Sequence, residues 1–148
     1  MTFRTEYHVN YYETDAMAVV HHSNYVRWFE NGRVDFLHQL GISLNDMTAD
    51  GFSYPITEVS VKYLEPAHFD DTVIIETIPT ALTRAKMEFD YRVIKKGTQE
   101  LLVTGHTQNV FTSLETGHIT RLPEKYYGKL REIMKKVKAE KAQKAAKA

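Results

Sequence analysis

The sequence predicts an α+β fold: one long central helix wrapped by a curved five-stranded antiparallel sheet, with a further helix at the C-terminus. Three observations carry this. Polarity alternates with a period of two at the N-terminus and again over most of residues 56–112, a period near 3.6 replaces it after Ser23, and no Pro/Gly/Ser-rich break divides the 148 residues. One hydrophobic core is the default for such a chain.

The elements follow in order. Phe3, Thr5, Tyr7 and Val9 alternate with Arg4, Glu6 and His8, the pattern of a half-buried strand. Asn10 to His22 keeps neither period and reads as a loop. Tyr25, Val26, Phe29, Phe36, Leu37 and Leu40 then mark one face of a helix of about five turns, with Ser23 or Asn24 as N-cap and Gly41 as its stop. Gly32 inside it costs about 1 kcal/mol against Ala, which close approach to a packed sheet would offset. A short helical turn is expected from Ser43 to Asp50, ending at Gly51.

Strand patterns follow at Ile56 to Leu64, Thr72 to Thr77, Met87 to Val93 and Leu101 to Thr112, with Lys96-Gly97-Thr98 as a turn. Read as antiparallel neighbours in succession, these complete a meander. Pro123 opens a C-terminal helix bearing Tyr126, Tyr127, Leu130, Ile133, Met134 and Val137. The chain thus divides into a body of residues 1–122 and a C-terminal helix with a basic tail, 123–148. One helix covers one face of a sheet, so side chains such as Phe3, Tyr91 and Phe111 are expected on edges or the second face, and a homodimer or homotetramer to cover them.

Composition excludes several chemistries. With no cysteine there is no disulfide, thiolate nucleophile or thiolate metal site. The N-terminus lacks a cationic stretch followed by an apolar run, and no apolar run approaches the roughly 18 residues of a membrane span, so a cytoplasmic protein with no membrane insertion is expected. Glu124 to Ala148 holds nine Lys/Arg against three Glu. Without interleaved aromatic residues this reads as a solvated helix end, and no nucleic-acid partner is expected. No Gly-rich phosphate loop, nucleophile elbow or dinucleotide fingerprint is present.

The segment Tyr11-Tyr12-Glu13-Thr14-Asp15-Ala16-Met17-Ala18-Val19-Val20-His21-His22-Ser23-Asn24-Tyr25 carries the chemistry. It sets a carboxylate, Asp15, in a loop seven residues before His22 at the threshold of the long helix. Unpaired backbone N–H groups and a partial positive charge gather at a helix start. A carbonyl placed there would be polarised, and Asp15 beside it has the chemistry of a nucleophile or general base.

The run Tyr12 to Ala16, then Val19 to Tyr25 and Trp28-Phe29-Glu30, resembles the signature of the 4-hydroxybenzoyl-CoA thioesterase-like hotdog family, nearest to its Tol-Pal-associated bacterial acyl-CoA thioesterases. The similarity continues through Val61 to Ala67 and Phe69-Asp70-Asp71 to the strand at Met87–Val93. The resemblance implies a hotdog fold and hydrolysis of an acyl-CoA to free acid and CoA, with no cofactor because CoA is part of the substrate. It makes Asp15 the catalytic carboxylate and His22 the residue whose backbone N–H faces the thioester oxygen. It matches Tyr11 to a site tyrosine of some members, and places Arg84 and Lys86 where basic residues hold CoA phosphates across a subunit interface. Met17-Ala18 stand where many relatives carry two glycines, and His21 where an aromatic residue is common.

Other readings stay open at this point: a non-catalytic acyl-CoA binding hotdog protein, a thioesterase for acyl carrier protein, and a hotdog dehydratase, whose local motif is not found. His21, His22 and Asp15 make a poor metal site, since adjacent residues diverge around a helix start. Tyr25, Trp28 and Phe29 are expected in the core or a pocket wall, and Glu30 with Arg33 as a surface or interface ion pair.

Overall fold

The computed structural model describes residues 2–147. Strand β1 (Phe3–His8) leads through a single 3-10 turn (Tyr11–Glu13) to α1 (Asn24–Gln39) and α2 (Leu44–Ala49). Then come β2 (Phe52–Ser53), β3 (Ile56–Tyr63), β4 (Thr72–Leu82), β5 (Lys86–Lys95), β6 (Leu101–Val110), β7 (Thr112–Ser113) and α3 (Glu124–Lys147). Five strands form one sheet in the order β1-β4-β5-β6-β3, and every neighbouring pair in it is antiparallel.

The meander is real for β4-β5-β6, but β3 does not join it at β4. It crosses to the far edge and pairs with β6, Tyr63 opposite Val103, while β1 takes the place beside β4, Phe3 opposite Thr77. Strand β4 also runs on through Pro79. Its register with β1 ends at Thr77, so the proline's missing N–H interrupts no ladder there, and a bulge between Pro79 and Ala81 absorbs the change. A two-stranded sheet of β2 and β7 was not legible in the pattern.

Helix α1 lies on the sheet because two glycines let it come close. A Cβ on Gly32 would stand 2.3 Å from Thr77 Oγ1, and one on Gly105 of β6 would stand 2.3 Å from the Phe29 ring. Phe29 instead stacks on Tyr91, centroids 4.4 Å apart, and Phe36 meets Phe3 and Phe89 edge-on. Each such buried ring contributes about 1.5–3 kcal/mol. Gly41 (φ 73°) stops the helix as expected: its N–H reaches the His38 carbonyl while the Ile42 N–H reaches that of Leu37, a Schellman pair.

Three expectations are corrected. Tyr91 and Phe111 are buried in the core and Phe3 packs against it. Exposed apolar side chains lie instead in the loop before α1, at Tyr11, Tyr12 and Met17, at Phe69, Leu114 and Ile119, and in a run on and just after β3 at Ile56, Val59, Tyr63 and Leu64. Arg33 forms no surface pair with Glu30: it is 5% exposed and donates to the Tyr91 hydroxyl at 3.2 Å. The helix start is not capped by a serine oxygen either; Ser23 has helical dihedrals, and its own N–H donates to His21 Nδ1.

After Pro123, Tyr126, Leu130 and Ile133 of α3 join the same core as the sheet, whereas residues beyond Val137 are mostly exposed. No helix among the described residues is long and apolar enough to cross a membrane.

Candidate active site

The loop between β1 and α1 is tied at both ends. Val9 N–H donates to Asp71 O and Val20 N–H to Ala67 O, anchoring it to the connection between β3 and β4. Within it, Thr14 bridges Val20, and Asp15 N–H donates to Val19 O at 2.9 Å. The turn at its tip needs a left-handed residue, and Ala18 supplies it at φ 63°. A Cβ in the left-handed region leaves this alanine strained.

Inside that turn the Asp15 carboxylate accepts from Met17 N–H at 2.8 Å through Oδ1. It remains part-exposed and lines a cleft of about 280 Å3 together with Met17, His22, Tyr25, Tyr63 and Glu65. The structure therefore brings Asp15 and His22, two of the residues singled out in the sequence, to one cavity at the start of α1. Grooves of about 430 Å3 exist elsewhere, one on the outer sheet face beside Lys62 and His106, another beside α2. Neither is lined by Asp15 or His22.

The His22 backbone is held at its carbonyl. Tyr63, at the end of β3, donates its hydroxyl to the His22 carbonyl at 2.9 Å, and burial raises the pKa of this phenol, keeping it a donor. Tyr25 accepts from Ala67 N–H at 3.1 Å and is raised by burial in the same way. The His21 ring lies 4.1 Å from that of His22, with Nδ1 2.8 Å from Ser23 Oγ. Among the described residues the His22 N–H has no acceptor. An unpaired donor at a helix start beside an open cleft can take a carbonyl oxygen.

The remaining sequence candidates stand apart from this cleft within one chain. Tyr11 is 74% exposed and rests edge-on against Phe69. Arg84 is engaged by its own fold: it donates to the Leu122 carbonyl at 2.8 and 3.2 Å and lies over the Tyr127 ring. Lys86 reaches toward Glu88 at 4.0 Å. Sequence reasoning gave no role to Tyr63 or Glu65, whose place in the cleft depends on where β3 pairs. It also gave none to Glu13, whose burial no period reveals. Among the described residues no three acidic or histidine side chains gather as a metal site requires.

Comparison with known proteins bears on the fold and the family. Residues 9–135 match the family described as the thioesterase-like superfamily. YneP of Bacillus subtilis is 35% identical over 74 residues, which are 50% of this chain and 54% of that protein. The acyl-CoA thioester hydrolase YbgC of Escherichia coli is 30% identical over 92 residues, 62% of this chain and 69% of the other. Among solved structures, the DHNA-CoA thioesterase of Staphylococcus aureus superposes with a TM-score of 0.86 at 30% identity, covering 96% of this chain and 94% of its own. With its sheet wrapped around α1, the chain has the hotdog fold and belongs to the thioesterase-like superfamily.

Proposed function

We propose that the protein is an acyl-CoA thioesterase that hydrolyses its substrate to a free acid and CoA, with Asp15 as base or nucleophile and the start of α1 as oxyanion site. The observation that carries this reading is the cleft that Asp15 and His22 share at the start of α1, with the His22 N–H left without an acceptor among the described residues. As base, Asp15 takes a proton from water attacking the thioester carbon; as nucleophile it forms the acyl-enzyme bond itself, which water then breaks. In either case the carbonyl oxygen gains negative charge, and a preoriented donor at that point contributes roughly 100-fold to 1000-fold. Collapse of the adduct expels the CoA thiolate.

The similarity to YbgC and to a DHNA-CoA thioesterase supports a CoA thioester, and the motif supports the 4-hydroxybenzoyl-CoA thioesterase-like, Tol-Pal-associated branch. A cytoplasmic enzyme without cofactor belongs to the same reading. So does a homodimer or homotetramer: β3 is an edge strand carrying a strip of exposed apolar side chains, the surface a second copy would cover. Tyr11, Arg84 and Lys86 enter the proposal only through such an assembly, since a neighbouring copy must bring them to a cleft they do not reach in one chain.

The test is free-thiol release across short, long and aromatic acyl-CoAs, with light scattering on the same sample. Turnover of at least one substrate by a dimer or tetramer is expected. Tight acyl-CoA binding without thiol release would favour the binding-protein reading, and a monomer at micromolar concentration would remove the oligomer.

A further inference from the structure

Glu13 is a carboxylate only 3% exposed, and no cation lies against it among the described residues. Its oxygens act purely as acceptors. Oε1 takes the Asn10 N–H at 2.8 Å and Asn10 Nδ2 at 3.3 Å, and Oε2 takes the Trp28 indole N–H at 2.8 Å. Burial pushes the neighbouring Tyr7 phenol up to about 12, with the Glu13 carboxylate adding to the rise. The same residue's carbonyl receives two more donors, His21 N–H at 2.8 Å and Asn24 Nδ2 at 2.8 Å.

These contacts join the three pieces that make up the site. Asn10 lies where the loop leaves β1, His21 and Asn24 lie at the start of α1, and Trp28 lies one turn further along that helix. Burying an uncompensated carboxylate is costly unless its hydrogen bonds are complete. Here it is completed by groups that fix the loop two residues before Asp15. A neutral core residue would fill the space and keep the two contacts of the main-chain carbonyl, but it would not tie the Asn10 N–H to the Trp28 indole.

We infer that Glu13 is a positioning residue for thioester hydrolysis: by tying Asn10 to Trp28 through its carboxylate, and His21 and Asn24 through its carbonyl, it fixes Asp15 in the cleft shared with His22. The inference rests on the catalytic reading of Asp15 above. Misplacement by about 1 Å is enough to cost on the order of 100-fold in rate. Glu13→Gln keeps the size and turns one acceptor into an NH2 group facing a donor, which loosens the clamp without emptying the core.

The experiment compares the parent, Glu13→Gln, Asp15→Asn and the double variant by steady-state kinetics on one good acyl-CoA, together with hydrogen exchange of the amides of residues 14–21. Glu13→Gln is expected to lower kcat by at least tenfold with KM within about twofold, and to speed exchange at Asp15 and His21 but not in β5. In the Asp15→Asn background it should cost nothing further, because a misplaced group that is already inert loses nothing. Trp28→Phe, which removes one donor and keeps a ring, should act in the same direction by several-fold if Glu13→Gln does not fold. Equal loss of rate in both backgrounds, or a kcat within twofold of the parent while Asp15→Asn is inactive, would overturn the positioning role. An active Asp15→Asn would instead overturn the reading on which it rests.

Discussion

Replacing Gly32 by alanine sets two effects of known sign against each other. In a solvated helix the change stabilises by about 1 kcal/mol, because glycine loses more backbone freedom on folding. Here the new Cβ would lie 2.3 Å from Thr77 Oγ1 and 3.1 Å from Ile75 Cγ2, against about 3.5 Å for a comfortable heavy-atom contact. Thr77 and Ile75 are both wholly buried, and both are β-branched strand residues whose γ atoms are stiff about χ1. The helix must therefore lift by about 1 Å, and overpacking of this kind costs about 1–3 kcal/mol and sometimes more. An approach of 2.3 Å puts the cost in the upper part of that range, about 2–3 kcal/mol, so packing wins and the net loss is about 1–2 kcal/mol, or roughly 3–8 °C in Tm for a chain of this size. Differential scanning calorimetry of parent and variant measures it. The Thr77→Ala background, which removes the clashing oxygen, should recover much of the loss. A Tm raised by the substitution would show that α1 is not seated on β4 as described.

Other substitutions test other parts of the structure. Ala18→Gly relieves a left-handed alanine and should raise stability by about 1 kcal/mol, seen as a higher denaturation midpoint; a lower one would mean that the loop is not held at positive φ. His106 sits between Asp90 at 2.6 Å and Glu88 at 3.1 Å, and the hydrogen bond to Asp90 does most to raise its pKa. Its contribution is therefore complete below the unfolded value of about 6.5 and fades as pH rises through the folded one. His106→Gln should then separate from the parent more at pH 5.5 than at pH 8.5 in urea midpoints, and the opposite order would refute the pairing. Ending the chain after Val137 removes mostly exposed residues and should change stability by no more than about 0.5 kcal/mol, with hydrolysis of small acyl-CoAs intact. A large fall in Tm or rate would assign the lysine-rich end a packing or binding role.

What the sequence made legible was local. The switch of period at Ser23, the glycine stop at Gly41 and the alternation from Met87 to Val93 each report contacts within a few residues, and each appears in the structure where it was read. The edge position of β3 was not legible, because pairing with β6 instead of β4 is decided by contacts some forty residues apart in the chain that leave the same alternation on the strand. Arg33 misled, and the burial of Glu13 went unread, for a related reason. A charged residue reads as solvated, and only the tertiary partners, Tyr91 for one and Trp28 for the other, make burial tolerable. Within the site, the motif gave Asp15 and His22 their common cavity, but the walls contributed by Tyr63 and Glu65 depend on that edge strand.

Asp15→Asn tests the central claim most directly. Asparagine keeps an oxygen for the Met17 N–H, so the turn should hold and stability should fall by no more than about 1 kcal/mol. It carries no negative charge to attack a carbonyl or take a proton, so thioester hydrolysis should fall by at least the roughly 100-fold to 10,000-fold of general-base assistance. Free-thiol release measured at matched folding is predicted to drop by that factor with acyl-CoA affinity nearly unchanged. Turnover within about tenfold of the parent would contradict the account.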